Sequence, residues 1–458
     1  MNLSVRRSSA TMRAERPPLW PYHADLLATS VPRYTSYPTA AEFHDGMMAA
    51  DMAEGLRSVG RATSVSLYLH IPYCREICWY CGCNTGAANR SGRLDAYLDA
   101  LHGEIDLVAA TLDGRGKIGR IAFGGGSPNA IAPDQFDALV RHLHDAFASS
   151  GPILSVEVDP RGFDAEWADT LGRNRVTRAS LGVQTFAPRL QAAIGRVQPA
   201  ELIECSVALL RGAGVTSLNF DLMYGLPGQG DADLTDTLDQ TIALAPERLA
   251  VFGYAHVPHL IPRQRRIDAR ELPDTQVRFG QAALAYEMLT GSGYLPVGFD
   301  HFALPSDALA IAATNGTLRR NFQGFTEDQA DILIGLGATA ISSFPDRLVQ
   351  NDKNVGQYRM LVEGGVLPAR RGLYRSAEDH RRAQVIEQLL TSGHADAALL
   401  TGMDDAIDRL APYLARGLVR LDADGLALAQ NALPYARSIA CAFDQYRGQA
   451  ATRFSSAV

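Results

Sequence analysis

The sequence predicts an α/β protein: a partial, TIM-like (β/α)6 barrel with an extended N-terminal segment and a small, mainly helical C-terminal domain. Three observations predict it. Strand-like and helix-like stretches alternate between Val65 and Tyr254, which implies a parallel sheet with right-handed crossovers. Chemically distinctive residues fall after the strands, where barrels of this kind gather their active sites. The alternation stops near residue 365.

Residues 1–19 are polar and basic and read as a mobile tail. The stretch Pro32-Arg-Tyr-Thr-Ser-Tyr-Pro-Thr-Ala40 is rich in prolines and tyrosines and reads as an extended segment laid over another surface. Strands are expected at Val65–Leu69, Ile118–Phe123, Ile153–Val158, Arg178–Val183, Ser217–Met223 and Leu249–Tyr254, where β-branched and aromatic residues cluster. Helices are expected at Leu94–Leu112, Pro133–Phe147, Ala165–Leu171, Leu202–Ala213, Leu234–Ala245 and Gln276–Thr290. Leu295–Gly298 reads as a further strand. Ser376–Leu390 and Asp404–Leu414 read as helices and Leu418–Ala429 as a short hairpin. Six strands are too few to close an eight-stranded barrel, so the barrel is expected to be splayed and open to a large substrate. The expected units are 1–48, 49–364 and 365–458.

Bulk properties exclude several classes. The 458 residues are 47% hydrophobic and carry a net charge of −7 with no long basic run, so nucleic acid is not the expected partner. No apolar run suits a signal peptide or a membrane span. Six cysteines, four of them clustered, do not make a disulfide framework and point to the cytoplasm.

That cluster is the strongest chemical signal. Cys74, Cys78, Cys81 and Cys83 lie within ten residues, the first three spaced C-x3-C-x2-C. Three thiolates on one loop can hold three irons of a 4Fe-4S cluster and leave the fourth open to a small molecule. Structural zinc sites use paired C-x2-4-C motifs or histidine partners, and the remaining cysteines, Cys205 and Cys441, are far apart. An open iron suits reductive cleavage of S-adenosylmethionine. Cys83 is surplus to such a cluster and is either a small buried residue or a group that handles electrons or protons beside it. His70 is either a structural hydrogen-bonding partner or a group near the cofactor.

Other residues carry two readings each. Gly124-Gly-Gly-Ser-Pro128 follows the second strand without a dinucleotide spacing; it is a tight turn or a place where backbone approaches a ligand. Glu157 is a charge in an apolar strand, either ion-paired or accepting from a ligand ammonium or ribose. Arg196 is a surface cation or a carboxylate clamp. Asp221 sits among apolar residues and needs a donor, which ligand hydroxyls would supply. Tyr68 and Tyr80 flank the cysteines and either pack or stack on adenine.

Taken together these motifs resemble the oxygen-independent coproporphyrinogen III oxidase family, within the radical S-adenosylmethionine enzymes. The resemblance rests on Tyr68-Leu-His-Ile-Pro-Tyr-Cys74, Gly-Gly-Gly-Ser-Pro128, Glu-Val-Asp-Pro160, Gly182-Val-Gln-Thr-Phe186, Asp221-Leu-Met-Tyr-Gly-Leu-Pro227, Tyr254-Ala-His-Val-Pro258 and Gly298-Phe-Asp-His-Phe-Ala303. It extends to Arg320-Asn-Phe-Gln-Gly324, Gly335–Ser342 and Pro32–Ala40, and so covers roughly residues 30–380. It implies cluster ligation by Cys74, Cys78 and Cys81. It implies sites for two S-adenosylmethionine molecules lined by Tyr68, Tyr80, Gly125, Gly126, Ser127, Glu157, Gln184, Arg196, Asp221, Ala255, Gln323 and Ile341. It further implies that coproporphyrinogen III is the substrate, that flavodoxin or a similar carrier is the electron donor, and that Cys83, His70 and Arg33 lie in the catalytic region, with Arg320 a second candidate for the substrate's carboxylates. A monomer is expected. The alternatives within reach of the same motifs are a radical tetrapyrrole methyltransferase and a haem chaperone. Tyr80 stands where Phe is common, Ser127 where Thr is common, and the helix near Glu387–Gly393 lacks a cysteine common there. The C-terminal domain matches the family weakly.

Overall fold

The computed structural model describes residues 18–88 and 91–447; most of the polar tail expected at residues 1–19 lies outside them. Six β/α units form the heart of the molecule. Their strands are β1 Ser64–Ile71, β2 Lys117–Gly125, β3 Ile153–Val158, β4 Arg178–Gln184, β5 Ser217–Tyr224 and β6 Arg248–Gly253. Neighbours in this series pair in parallel. The helices are α1 Ser91–Leu112, α2 Pro133–Ala146, α3 Ala165–Arg173, α4 Ala200–Gly212, α5 Asp231–Leu244 and α6 Thr275–Gly291.

Side-chain alternation explains the layering. In β1, Val65, Leu67, Leu69 and Ile71 are essentially inaccessible and belong to the main core. Ser66, Tyr68 and His70 lie on the opposite face, since successive strand residues point to opposite sides. The same period places Leu154, Val156 and Val158 of β3, and Leu218, Phe220 and Leu222 of β5, in the core. It leaves Ser155, Glu157, Asn219 and Asp221 for the interior of the barrel. Helix starts are set by side-chain caps: Asp164 accepts from the amide of Trp167 at 3.0 Å and Asp274 from that of Val277 at 2.8 Å.

The sheet is larger than six strands. It has thirteen, with the six in its middle. On one side β6 is followed by an antiparallel hairpin of β8 His301–Ala303 and β7 Leu295–Val297. On the other, β9 Ile332–Leu336 pairs in parallel with β1 and continues antiparallel through β10 Ile341–Ser343, β11 Arg347–Asn351 and β12 Ala369–Tyr374. The two-residue strand His44–Asp45 forms that edge. Among the described residues the two edges of the sheet do not pair with each other, and β12 joins the sheet although it lies beyond residue 365. A two-stranded ribbon, Arg319–Asn321 with Gly324–Thr326, carries Gln323 and Phe325 into the barrel interior.

After β12 comes α7, Ala377–Thr391, opened by a capping box of Ser376 and Asp379. A three-stranded sheet of His394–Asp396, Val419–Leu421 and Gly425–Leu428 follows, with short helices around it. The N-terminal segment is built into the core. Trp20, Leu27, Val31, Tyr34 and Tyr37 are buried. Tyr34 donates to Asp444 at 3.0 Å, and Tyr37 accepts from the amide of Gln445 at 3.0 Å, so the two chain ends clasp each other. Among the described residues, no helix is long and apolar enough to cross a membrane.

Candidate active site

β1 runs out at Ile71 and the cysteine loop begins at once. A short parallel bridge pairs Tyr73–Cys74 with Gly86–Ala87 and closes the loop's base. The amide of Trp79 donates to the carbonyl of Ile194 at 3.0 Å. The buried side chain of Gln264 donates to the carbonyls of Tyr80 (2.9 Å) and Ala255 (3.0 Å), tying the loop to the chain after β6. Cys78 is buried, Cys74 and Cys81 half-buried, and Cys83 exposed. Burial pushes the Cys74 thiol up to about 12, whereas hydrogen bonding from Cys83 draws Cys81 down to about 6.

Two arginines meet at Cys78. Arg196 donates to its Sγ at 3.2 Å and Arg161 at 3.3 Å. Both also hold Asp159, Arg161 at 2.6 Å and Arg196 at 3.3 Å. Burial alone would raise the Asp159 carboxyl; Arg196 and Arg161 together hold it below its ordinary range. Arg196 also donates from Nε to the carbonyl of Gly182 at 2.9 Å, so much of its donor capacity is engaged within the fold. Sequence reasoning missed Arg161 and Gln264. For Arg161 a signal existed, since it follows Asp159-Pro160 at the end of β3; for Gln264 there was none.

The glycine turn ending β2 packs against this loop. A Cβ on Gly126 would lie 2.5 Å from the carbonyl oxygen of Tyr73 and 2.7 Å from that of Ile71. Gly125 has a φ of +103°, and a Cβ there would strike the His70 ring. The amide of Gly125 donates to Glu157 at 3.1 Å. Ser127 is buried, its hydroxyl donating to Asn129 at 2.6 Å, and Asn129 bonds the backbone of Asp159. Its hydroxyl therefore holds the β2 turn to the end of β3. Gln184 has a φ of +66° at an irregularity ending β4, a strained conformation for a residue with a side chain.

One cavity of about 140 Å³ is lined by Cys74, Cys78, Cys81, Cys83, Tyr80, Gly125, Gly126, Ser127, Glu157, Gln184, Arg196 and Asp221. Residues from five strand ends are brought together there. Glu157 is exposed to this cavity yet enclosed by the barrel wall, and is pushed up to about 7, by desolvation first and by Asp221 second. Asp221 is also raised by burial, although Ser180 (3.1 Å) and Asn219 (2.9 Å) donate to it. Glu157, Ser180 and Asp221 also line a second cavity, of about 350 Å³, which reaches down the barrel and contains Gln323.

The remaining sequence candidates line neither of these cavities; Arg33 borders a separate space with Phe299 and Arg437, and Arg320 another with Asn321 and Asp328. The hydroxyl of Tyr68 is 3.3 Å from Nδ1 of His70. Burial drops His70 to about 4, which keeps its imidazole neutral. Ala255 presents its carbonyl to Gln264, and Ile341 packs with Phe43, Phe322 and Leu348. Arg33 stacks over Phe252 at 4.9 Å and faces Asp300 at 3.8 Å. Arg320 is half-buried over Phe325 at 4.2 Å and donates to the carbonyls of Arg33 and Tyr34, so it holds the N-terminal segment in place. At the floor of the barrel Arg120 (2.6 Å), Arg178 and Arg248 (3.3 Å) converge on Glu327.

Comparison with known proteins decides the family. Residues 68–241, from Tyr68 on β1 to α5, match the model of the radical SAM superfamily. The oxygen-independent coproporphyrinogen III oxidase of Bradyrhizobium diazoefficiens is 42% identical, across 91% of this chain and 94% of its own. This chain belongs to the oxygen-independent coproporphyrinogen III oxidase family. The family member from Pseudomonas aeruginosa is 39% identical over 93% of this chain and 96% of its own. The solved coproporphyrinogen III oxidase (HemN) of Escherichia coli, described as a radical SAM enzyme, superposes with a TM-score of 0.87 at 34% identity. It covers 93% of this chain and is itself covered completely. The likeness therefore extends well beyond the six β/α units.

Proposed function

We propose that this protein performs the oxygen-independent oxidative decarboxylation of coproporphyrinogen III, turning two propionates into vinyls to give protoporphyrinogen IX. The observation that carries the reading is the cavity shared by the four cysteines of one loop and two raised carboxylates, in a chain 42% identical to a named oxidase over almost its whole length. The residues fit a 4Fe-4S cluster and S-adenosylmethionine. Three soft thiol donors sit on one short loop, beside a glycine turn with no room for a Cβ and beside a carboxylate that opens into the cavity. When bound, the reduced cluster and S-adenosylmethionine supply a 5′-deoxyadenosyl radical that can take a hydrogen from a propionate β-carbon.

Cys74, Cys78 and Cys81 would hold the cluster, with Arg161 and Arg196 donating to Cys78. Glu157 would accept from the ammonium of the first S-adenosylmethionine, beside the backbone of Gly125 and Gly126. Asp221, already orienting Ser180 and Asn219, would accept from ribose hydroxyls. Gln184, Tyr80, Tyr68, Ala255, Ile341 and Gln323 would complete the two nucleoside sites. Arg33, which is partly exposed and only loosely paired with Asp300, would take a substrate carboxylate. The same reading takes the enzyme as a cytoplasmic monomer reduced by flavodoxin or a similar carrier, engaging neither nucleic acid nor membrane; the net charge of −7 and the reduced cysteine cluster support it. Anaerobic turnover of the reconstituted enzyme with coproporphyrinogen III tests it by product mass. Loss of two formic-acid equivalents is expected; gain of methyl groups would make the protein a methyltransferase.

A further inference from the structure

The protein is acidic overall, with a net charge of −7, yet one turn beside the cysteine loop is strongly basic. The 3₁₀ turn Pro262–Arg266 carries Arg263, Arg265 and Arg266, and Arg270 follows four residues later. Arg265, Arg266 and Arg270 are exposed. The turn is fastened to the loop at several points. Arg263 donates to the Thr85 hydroxyl at 3.1 Å and to the carbonyl of Cys83 at 3.4 Å. Arg266 lies 5.9 Å from the Trp79 ring, between Cys78 and Cys81 in sequence. Gln264 holds the carbonyl of Tyr80 at 2.9 Å, and Ile261 fills the space over Gly82. Asp268, Glu271 and Asp274 offset part of this charge, Glu271 acting beside Arg270. Asp268 pairs with Arg270 at 2.6 Å, and Glu76 pairs with Arg161 at 3.0 Å, whereas among the described contacts Arg265 and Arg266 have no carboxylate partner. Leu260 adds an apolar spot, 52% exposed, next to the turn.

We propose that this arginine turn, with Leu260 beside it, is the docking surface for an acidic protein that carries one electron to the cluster. The inference rests on the cluster assignment made above. The reduced carrier loses one electron and the cluster gains one; no bond is made or broken and no proton is exchanged. The charge complementarity would serve rate above affinity. Opposed charges steer encounter and orient the carrier, an effect that weakens as salt is raised. The turn's attachment to residues 79–85 then brings a docked carrier next to the three cysteines.

The test uses the reconstituted full-length protein and reduced flavodoxin as the acidic carrier, followed by stopped-flow bleaching of the cluster absorbance. Reversing both charges in R265E/R266E should slow reduction by about tenfold or more at low ionic strength and flatten its salt dependence. Reduction by dithionite, a small reductant that needs no docking surface, should be unchanged. A matched reversal far away, R416E/R420E, should leave both rates as in the wild type. Flavodoxin reduction of R265E/R266E at the wild-type rate would overturn the proposal. So would an equal loss with dithionite, or an equal loss in R416E/R420E, which would make the effect one of damage or net charge. If the double reversal binds less iron, R265A/R266A takes its place with the same expectations. Product analysis with dithionite as sole reductant reports on the decarboxylase reading separately, because it bypasses the carrier.

Discussion

Replacing Gly126 with alanine should dislodge the first cysteine of the site. The added Cβ would sit 2.5 Å from the carbonyl oxygen of Tyr73, where ordinary contact begins at 3.4 Å, so the β1 and β2 ends must part by roughly 0.9 Å. The obstacle is backbone, and no side chain can swing aside. Two hydrogen bonds span the gap, from the Gly126 amide to Ile71 at 2.8 Å and from the Ser127 amide to Tyr73 at 2.7 Å. Opening by that distance takes both beyond useful range. Overpacking costs about 1–3 kcal/mol and each lost hydrogen bond about 1 kcal/mol, giving about 3–5 kcal/mol in total. Relief by moving the loop instead of the sheet shifts Cys74, which directly follows Tyr73. Iron per chain after anaerobic reconstitution, read with a urea unfolding curve, should therefore show loss of cluster, loss of stability or both. Gly119→Ala, whose Cβ would meet only the Ser64 hydroxyl at 3.8 Å, is the control and should change neither. Full iron content and an unfolding free energy within about 0.5 kcal/mol of wild type in Gly126→Ala would refute the reasoning.

Serine at Cys74, Cys78 or Cys81 should abolish the broad visible absorbance of the reconstituted protein, while Cys83→Ser should keep its iron; equal iron loss in all four variants would make Cys83 a ligand. Glu157 holds a proton up to about pH 7 in the free site, mainly through desolvation, and a cationic ammonium should expel it. S-adenosylmethionine should thus bind more tightly as pH rises toward 7, with proton release measurable by calorimetry in two buffers, and Glu157→Gln should bind about 10–100-fold more weakly with no such pH step. Glu327 is pushed up by burial but held well below its ordinary value by Arg248, Arg178 and Arg120. Its stabilisation is present at neutral pH and lost as pH falls from about 4.5 toward the lower folded value. Glu327→Gln should therefore cost about 3–5 kcal/mol at pH 7 by urea titration, and its deficit should shrink in acid; an unchanged deficit at pH 3 would contradict the linkage.

The barrel was legible because its strands carry a two-residue period. Val65, Leu67, Leu69 and Ile71 face the helices, and each helix has an apolar side to meet them. The six strands and the residues at their carboxyl ends follow from that pattern. Of the outer strands, β7 showed, as the strand expected at Leu295–Gly298. β8 and β10 are three residues long, too short for a period to register. The N-terminal segment was legible as extended but not as core. Trp20 is buried against Phe279 and Tyr286 of α6, and Tyr34 and Tyr37 against the C-terminal residues Asp444 and Gln445, contacts distant in sequence. Deleting residues 1–40 would therefore strip out core side chains as well as Arg33. At the site, the cysteines were readable from their spacing, whereas the glycines and acids stood out only by their place on or after strands and took their expected roles from the family resemblance. Arg161 and Gln264 act through single contacts across the fold, which leave no local pattern.

If the cysteine cavity delivers a radical to the β-carbon of a substrate propionate, the hydrogen removed there must end on 5′-deoxyadenosine. Coproporphyrinogen III deuterated at those β-carbons, turned over anaerobically with unlabelled S-adenosylmethionine, shows this by mass spectrometry of the recovered 5′-deoxyadenosine. Deuterium in 5′-deoxyadenosine is expected alongside protoporphyrinogen IX. Protoporphyrinogen formed with entirely unlabelled 5′-deoxyadenosine would contradict that transfer.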